Sequence, residues 1–269
     1  MSVSSTHLPL PAEGLGSDRI PGHWLLARLG KRVLRPGGLE LTRRMLAGLS
    51  IGSADDVLEF APGMGVTARM ALGARPASYV GVDRDEAVVA QLSQALGSAR
   101  RSFVRGDAHE TSLPDGSVSV VYGEAMLTMQ PEVMKAKIVR EAFRCLRSGG
   151  RYGIHELSLV PDDLSAEVKA EIGRDLSSTI KVGARPLTVA EWRSLLEAAG
   201  FQVESIATTS MSLLETWRVL QDEGLGGSLR IVWNTLRDRQ ARRRVLEMRS
   251  VFRRHATRMG AVAIVARKP

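Results

Sequence analysis

Between Asp55 and Leu157 the chain alternates short apolar runs with helical stretches, and the first three apolar runs end in turns of small or acidic residues. Val57-Leu58-Glu59-Phe60 stops at Ala61-Pro62-Gly63-Met64-Gly65, and a helix follows to about Leu72. Tyr79-Val80-Gly81-Val82 stops at Asp83, after which Asp85 is a natural N-cap for a helix through Leu96. Ser102 to Arg105 stops at Gly106-Asp107-Ala108. Val118 to Tyr122 is almost continuously apolar, as a strand buried on both faces must be. Pro131 opens a long helix to about Leu146, closed by Gly149-Gly150, and Tyr152 to Leu157 is a fifth strand. Four such strand–helix units in succession bury their apolar faces together as a parallel, doubly wound α/β sheet.

The flanks are different. Residues 1–19, rich in Ser, Pro and Gly, read as a flexible arm. His23 to Leu49 reads as two helices broken at Pro36-Gly37-Gly38. Past the fifth strand a helix from Leu164 to about Ile180 is expected, then a helix capped by Thr188, and a sixth strand from Phe201 to Ala207. Residues 211–258 read as long basic helices, with Leu213, Leu214, Trp217, Leu220, Ile231, Val232, Leu236, Val245, Met248 and Phe252 at helical spacing. A last strand runs from Ala261 to Ala266. Residues 20–269 are therefore taken as a single domain, with helical caps at 20–50, 158–187 and 211–258. A stabilising cover and a substrate-pocket wall are both open readings of 211–258.

In open α/β sheets ligands sit beyond the carboxyl ends of the strands. Small residues after strand one let a ligand approach the backbone, and the next helix N-terminus offers free N–H groups. Asp83, at the end of strand two, can accept both ribose hydroxyls of a nucleoside. Asp107 can accept from an exocyclic adenine amine while the next backbone N–H donates to the ring. Together these strand ends describe an adenosine cleft. The turn is Ala-x-Gly-x-Gly, with Val66 after it and Ala68 where a dinucleotide fingerprint would place its third glycine. Glu59 would repel a pyrophosphate but suits a cationic amino acid group, which favours S-adenosylmethionine over NAD.

These segments resemble the class I S-adenosylmethionine-dependent methyltransferases, and most closely their small-molecule branch, with the ubiquinone and menaquinone C-methyltransferases. The resemblance covers about residues 52–207 and the last strand. It rests on Val57–Gly65, Tyr79–Asp83, Arg105–Ala108 with Leu113-Pro114-Asp115-Gly116-Ser117, and Val139 to Gly150. It implies a seven-stranded Rossmann-like sheet of order 3-2-1-4-5-7-6, with the seventh strand antiparallel. It also implies that Glu59, Phe60, Ala61, Gly63 and Gly65 surround the methionine end and the turn. Asp83 would bind the ribose with Arg84 beside the adenine, Asp107 and Ala108 would read the adenine, and Glu124, Ala125 and Met126 would line the sulfonium and acceptor side. Ala61 departs from the family's usual glycine, which is tolerable if its φ stays negative.

Methyl transfer by in-line displacement chiefly needs alignment and exclusion of water, with a base for O- or C-acceptors. His155 and Glu156 are candidates for that base; His155 is equally readable as a hydrogen-bonded core residue. Glu124 is a candidate for either cofactor binding or substrate orientation.

The expected function is methylation of a small-molecule acceptor, with an anionic or lipid-like one among the options. Two alternatives stand beside it: a methyltransferase acting on rRNA or tRNA, and a non-catalytic cofactor binder. The net charge of +8 invites a polyanionic partner. Against nucleic acid, strand four ends in Tyr122-Gly123-Glu124-Ala125 rather than the Asn/Asp-Pro-Pro-aromatic turn of many base methyltransferases. The charge is also local: residues 211–258 hold 11 Arg against 5 acids. That surface could steer an anionic substrate, meet membrane headgroups or simply be solvated. The lone Cys145 excludes an internal disulfide and any Cys-rich zinc site, and no metal set is expected. No run approaches a membrane span, so a cytoplasmic location is expected.

Overall fold

The sequence forms five parallel strands because helices follow the first, second, fourth and fifth apolar runs, while the third passes to the fourth through a loop. The structure, a computed structural model, describes residues 14, 16–211, 213–214 and 216–269. Its strands are β1 (Asp56–Phe60), β2 (Ser78–Asp83), β3 (Arg101–Arg105), β4 (Val118–Glu124), β5 (Leu146–Leu159), β6 (Leu187–Thr188), β7 (Gln202–Ser210) and β8 (Met259–Arg267). Its helices are α1 (Gly22–Arg28), α2 (Gly38–Leu49), α3 (Val66–Gly73), α4 (Glu86–Leu96), α5 (Glu132–Cys145), α6 (Ala166–Ile180), α7 (Val189–Ala198), α8 (Thr216–Arg237) and α9 (Arg239–Arg254). The sheet order is β3-β2-β1-β4-β5-β8-β7, with β8 antiparallel to both neighbours. This is the expected order, since β7 and β8 are the sixth and seventh strands of the sequence reading. The added β6 is a two-residue pairing beside β5.

The local signals act as their chemistry dictates. Asp85 accepts from the N–H groups of Ala87 and Val88 and starts α4. Thr188 and Glu191 form a reciprocal capping box at α7. Each sheet face is covered. On one side Met45 and Leu49 of α2, Ala68 and Leu72 of α3 and Leu92 of α4 pack on Val57, Tyr79 and Tyr122. On the other, Ile138 and Ala142 of α5 and Trp192 and Leu196 of α7 pack on Leu58, Val121 and Ile154.

Beyond the carboxyl edge lies a third layer. α1 and α9 share a cluster of Leu25, Leu26, Ala241 and Met248. α6 packs through Ile172 and Leu176 on Leu157, Leu159 and Met259. Residues 1–13 and 15 of the expected flexible arm lie outside the described residues. In the described part, Ser17 is buried and donates to Asp238 at 2.7 Å, and Arg244 of α9 donates to the carbonyls of Ser17 and Ile20. The side chain of Trp217 also lies outside the described set. No described helix is long and apolar enough to cross a membrane.

Candidate active site

The ends of β1, β2, β3 and β4 open into one cavity of about 430 Å³. Glu59, Ala61, Gly63, Asp83, Arg84, Asp107, Ala108, Glu124, Ala125 and Met126 all lie on its wall. The structure thus brings together ten of the residues singled out in the sequence. Phe60 and Gly65 are placed otherwise. Phe60 alternates to the opposite face of β1 and is fully buried in the core. Gly65 shapes the turn: its φ is +69°, and a Cβ there would stand 2.4 Å from Leu92 Cδ2.

Ala61 does not keep a negative φ. Its φ is +52°, and Ala125 at the end of β4 has the same value. Each directs its N–H sideways to the neighbouring strand, Ala61 to Val82 O at 2.8 Å and Ala125 to His155 O at 2.7 Å. A left-handed alanine costs on the order of 1 kcal/mol, and such strain gathers at functional sites. Here it turns the chain sharply at two strand ends that face the same cavity.

Two carboxylates on adjacent strands have opposite electrostatics. Glu59 is buried beside Tyr79 and Tyr122, whose hydroxyls both donate to its Oε2, the latter at 2.8 Å. Burial dominates and pushes the Glu59 carboxyl up to about 7. Glu124 is also largely enclosed, but there the Arg35 guanidinium, His155 and Thr67 outweigh burial and hold the carboxyl down at about 2. Arg35 and Thr67 donate to its Oε2, and Thr42 donates to Oε1 at 2.7 Å. His155 Nδ1 also stands 2.7 Å from Oε1. This last contact follows from register, since Glu124 pairs with His155 across β4 and β5.

The base assignments of the sequence reading meet a geometric obstacle. His155 is fully buried and absent from the cavity wall. Its Nε2 faces the Pro36 carbonyl while Nδ1 faces Glu124, so both nitrogens meet oxygens that only accept. Glu156 is fully buried too, and accepts from the N–H groups of Met126, Leu127 and Thr128 and from the Thr128 hydroxyl. It holds the short turn after β4. Glu124 does line the cavity, but four donors already surround its two oxygens.

At the outer end of the cavity, Asp83 accepts from Gly63 N at 3.2 Å and Asp85 N at 3.0 Å, and burial raises its carboxyl above the ordinary value. Arg84 grips Asp107 through two bonds, Nε to Oδ2 at 2.9 Å and Nη2 to Oδ1 at 2.7 Å. His109 adds a third contact to Asp107. Burial is outweighed there, and the Asp107 carboxyl lies below its usual range.

The inner end is apolar. Trp24 and Leu26 from α1, Leu176 and Ile180 from α6, and Met248 and Phe252 from α9 form its roof and walls. His23 joins them, its pKa pushed down to about 4 by burial. Arg32, Arg35 and Arg84 on the wall each face a carboxylate, of Glu223, Glu124 and Asp107 respectively.

Sequence reasoning missed Arg35, Thr42, Thr67 and His23. The sole hint was Arg35 itself, a cation between apolar Leu34 and the Pro36-Gly37-Gly38 break. Among the described residues, Glu171, Asp175 and His255 cluster closely enough to suggest metal ligands. His255 contacts Asp175 at 2.8 Å and Arg254 reaches the same oxygen, which makes the group an ion-pair cluster.

Comparison with known proteins agrees with this arrangement. Residues 57–150 match the model of a methyltransferase domain. An uncharacterized protein of Haemophilus influenzae is 34% identical over 221 residues, covering 80% of this chain and 86% of that one. The 27-O-demethylrifamycin SV methyltransferase of Amycolatopsis mediterranei is 27% identical over 189 residues, covering 69% and 68%. A phosphoethanolamine N-methyltransferase of Haemonchus contortus, solved with S-adenosylhomocysteine, shares the fold with a TM-score of 0.68 at 17% identity, covering 92% of this chain and 57% of that one. With the sheet order, the strand-end cavity and these likenesses in hand, the chain belongs to the class I S-adenosylmethionine-dependent methyltransferases, and S-adenosylmethionine is its cofactor.

Proposed function

We propose that the protein methylates a small, largely apolar acceptor held in the inner half of the cavity. The observation that carries this is the division of one cavity into a polar strand-end half and an apolar half roofed by α1, α6 and α9. The residues of the polar half fit the cofactor. Asp83 retains acceptor capacity for ribose hydroxyls beside its two backbone bonds. Glu59, held near 7, is suited to a cationic group that would favour its ionised form. Ala108 offers backbone at the adenine position, with the Arg84–Asp107 pair across the rim. When bound there, the cofactor supplies an electrophilic methyl group.

The chain's own part is alignment and exclusion of water. Glu124 stays ionised and fixed by Arg35, Thr42, Thr67 and His155, a preorganised negative charge on the wall between the two halves. His155 is a positioning residue: it holds Glu124 and anchors the Pro36 carbonyl. His23, kept neutral by burial, places an imidazole on the acceptor wall where it can hydrogen-bond and orient an acceptor hydroxyl. Each wall arginine already faces a carboxylate, which supports an uncharged or lipid-like acceptor over an anionic one. The rifamycin relative, a 27-O-demethylrifamycin SV methyltransferase, is in keeping with this class.

The test pairs calorimetry with turnover. S-adenosylhomocysteine should bind at one site, and a panel of apolar hydroxyl-bearing compounds should yield a product heavier by one methyl. Methylation of tRNA or rRNA with no turnover of the panel would replace this reading with the nucleic-acid one.

A further inference from the structure

We propose that the outer face of α8, with the adjoining start of α9, is a docking surface for an anionic lipid bilayer. At Gly224 the backbone leaves the helical region (φ 71°, ψ 177°), and residues 225–237 then form a separate straight stretch of about 20 Å. Leu225, Leu229, Val232, Trp233 and Leu236 on it are 74%, 70%, 54%, 58% and 56% exposed. At roughly 100° per residue these five fall within an arc of about 100°, so they form one continuous stripe. Leu246 of α9 is exposed as well, at 57%. Soluble monomers rarely leave so ordered an apolar face uncovered.

The polarity of α8 is inverted relative to an ordinary surface helix, because its acids face the protein. Glu223 is buried and accepts from Arg32 N at 2.7 Å and Val33 N at 2.8 Å. Asp222 is buried and accepts from Leu39 N at 3.1 Å. Asp238 is half-buried, capping α9 and bonded to Ser17. Among the described side chains of 219–258, Glu247 is the one exposed acid, and Arg243 holds it at 2.9 Å. Arg230, Arg237, Arg239, Arg242 and Arg243 are all exposed.

This combination selects the occupant. Apolar side chains beside a nearly acid-free arginine field match a bilayer whose headgroups carry negative charge. Arg237 lies over the Trp233 ring at 4.6 Å, a pairing that keeps the cation at the water side while the ring enters the apolar layer. A second copy of the chain pairing through the same stripe would bring its own arginines against these. The inner face of α9 carries Met248 and Phe252 on the cavity roof, so docking would set the apolar half of the cavity next to lipid. The surface argument holds whether or not the acceptor reading does.

Sedimentation of the full-length protein with phosphatidylglycerol-rich vesicles, and with pure phosphatidylcholine vesicles, tests it. Binding to the anionic vesicles alone is expected, with release at high salt. The Leu229→Glu/Trp233→Glu variant should lose binding. Arg242→Gln/Arg243→Gln should weaken it by about 30-fold, equivalent to ~1 kcal/mol per arginine. Unchanged affinity for S-adenosylhomocysteine would verify that both variants are folded. No sedimentation with anionic vesicles, or undiminished binding by the Leu229/Trp233 variant, would overturn the proposal. So would a free dimer that the Leu229/Trp233 variant converts to monomer, which would make the stripe a contact between copies.

Discussion

The strand-end half of the molecule and its helical cap treat charge in opposite ways. At the strand ends the charged groups answer one another: Arg35 to Glu124 and Glu59 to two tyrosine hydroxyls inside, and Arg84 to Asp107 at the rim. On α8 and the start of α9 the acids Asp222, Glu223 and Asp238 turn toward the protein while Arg230, Arg237, Arg239 and Arg242 face outward, so positive charge predominates on that surface. The first arrangement preorganises a small site in a low-dielectric pocket, where each partner matters. The second creates a long-range field suited to a large anionic surface. One chain with a single net charge thus holds two electrostatic designs.

The sharpest way to break that contrast is at Arg35. Removing it leaves Glu124 buried with its main counter-charge gone, so Arg35→Ala should destabilise the fold by about 3–5 kcal/mol in denaturant unfolding. A loss below ~1 kcal/mol would mean that Thr42, Thr67 and His155 suffice. Asp83→Ala should come next, with cofactor affinity falling by ~1–3 kcal/mol in calorimetry while stability changes little. Unchanged binding would remove Asp83 from the ribose role.

Glu59 and Glu124 separate by pH. The folded Glu59 carboxyl lies near 7, above its ordinary 4.5, so its contribution to stability is complete below about 4.5 and lost as pH rises to 7. Glu124, near 2, contributes above about 4.5 and loses that contribution as pH falls towards 2. A cationic ligand at Glu59 must expel a proton below pH 7. S-adenosylmethionine binding should therefore weaken as pH falls from 8 to 6, by up to about tenfold per unit below 7. Glu59→Gln should bind more weakly and show a flat profile; a wild-type profile that is already flat would separate Glu59 from the cationic end. The smallest effect is expected at Ala61→Gly, which relieves a left-handed alanine at the cost of some chain entropy. A stability gain of about 0.5 kcal/mol should appear in thermal unfolding, and a loss would show that the alanine methyl packs better than its φ suggests.

The parts of the site that the sequence made legible are those written in contiguous residues. The turn after β1, Asp83 after β2 and Asp107-Ala108 after β3 are local strand-end features, and ten of the twelve cofactor positions proposed from them and from the strand-four turn line one cavity. Phe60 was misplaced because strand alternation sends it to the far face when Glu59 faces the site. His155 and Glu156 looked like bases because their residue types allow it, and only their neighbours show that their polar atoms are already engaged. Ala61 was expected at negative φ from residue preference alone, whereas the bond from its N–H to Val82 fixes the turn with φ positive.

By itself the sequence determined the doubly wound sheet, its strand order through the family resemblance, and the cofactor half of the cavity. Those depend on periodicity, caps and turn chemistry, which act over a few residues. The tertiary structure alone decided the rest. Arg35 reaches Glu124 across 89 positions, and His155 reaches it across 31 by lying beside it in the sheet register. The direction each acid of α8 faces depends on which backbone donors of the α1–α2 connection and the first turn of α2 stand opposite. Side-chain charge is written in the sequence, but whether it is answered or left facing solvent is set by what the fold places next to it.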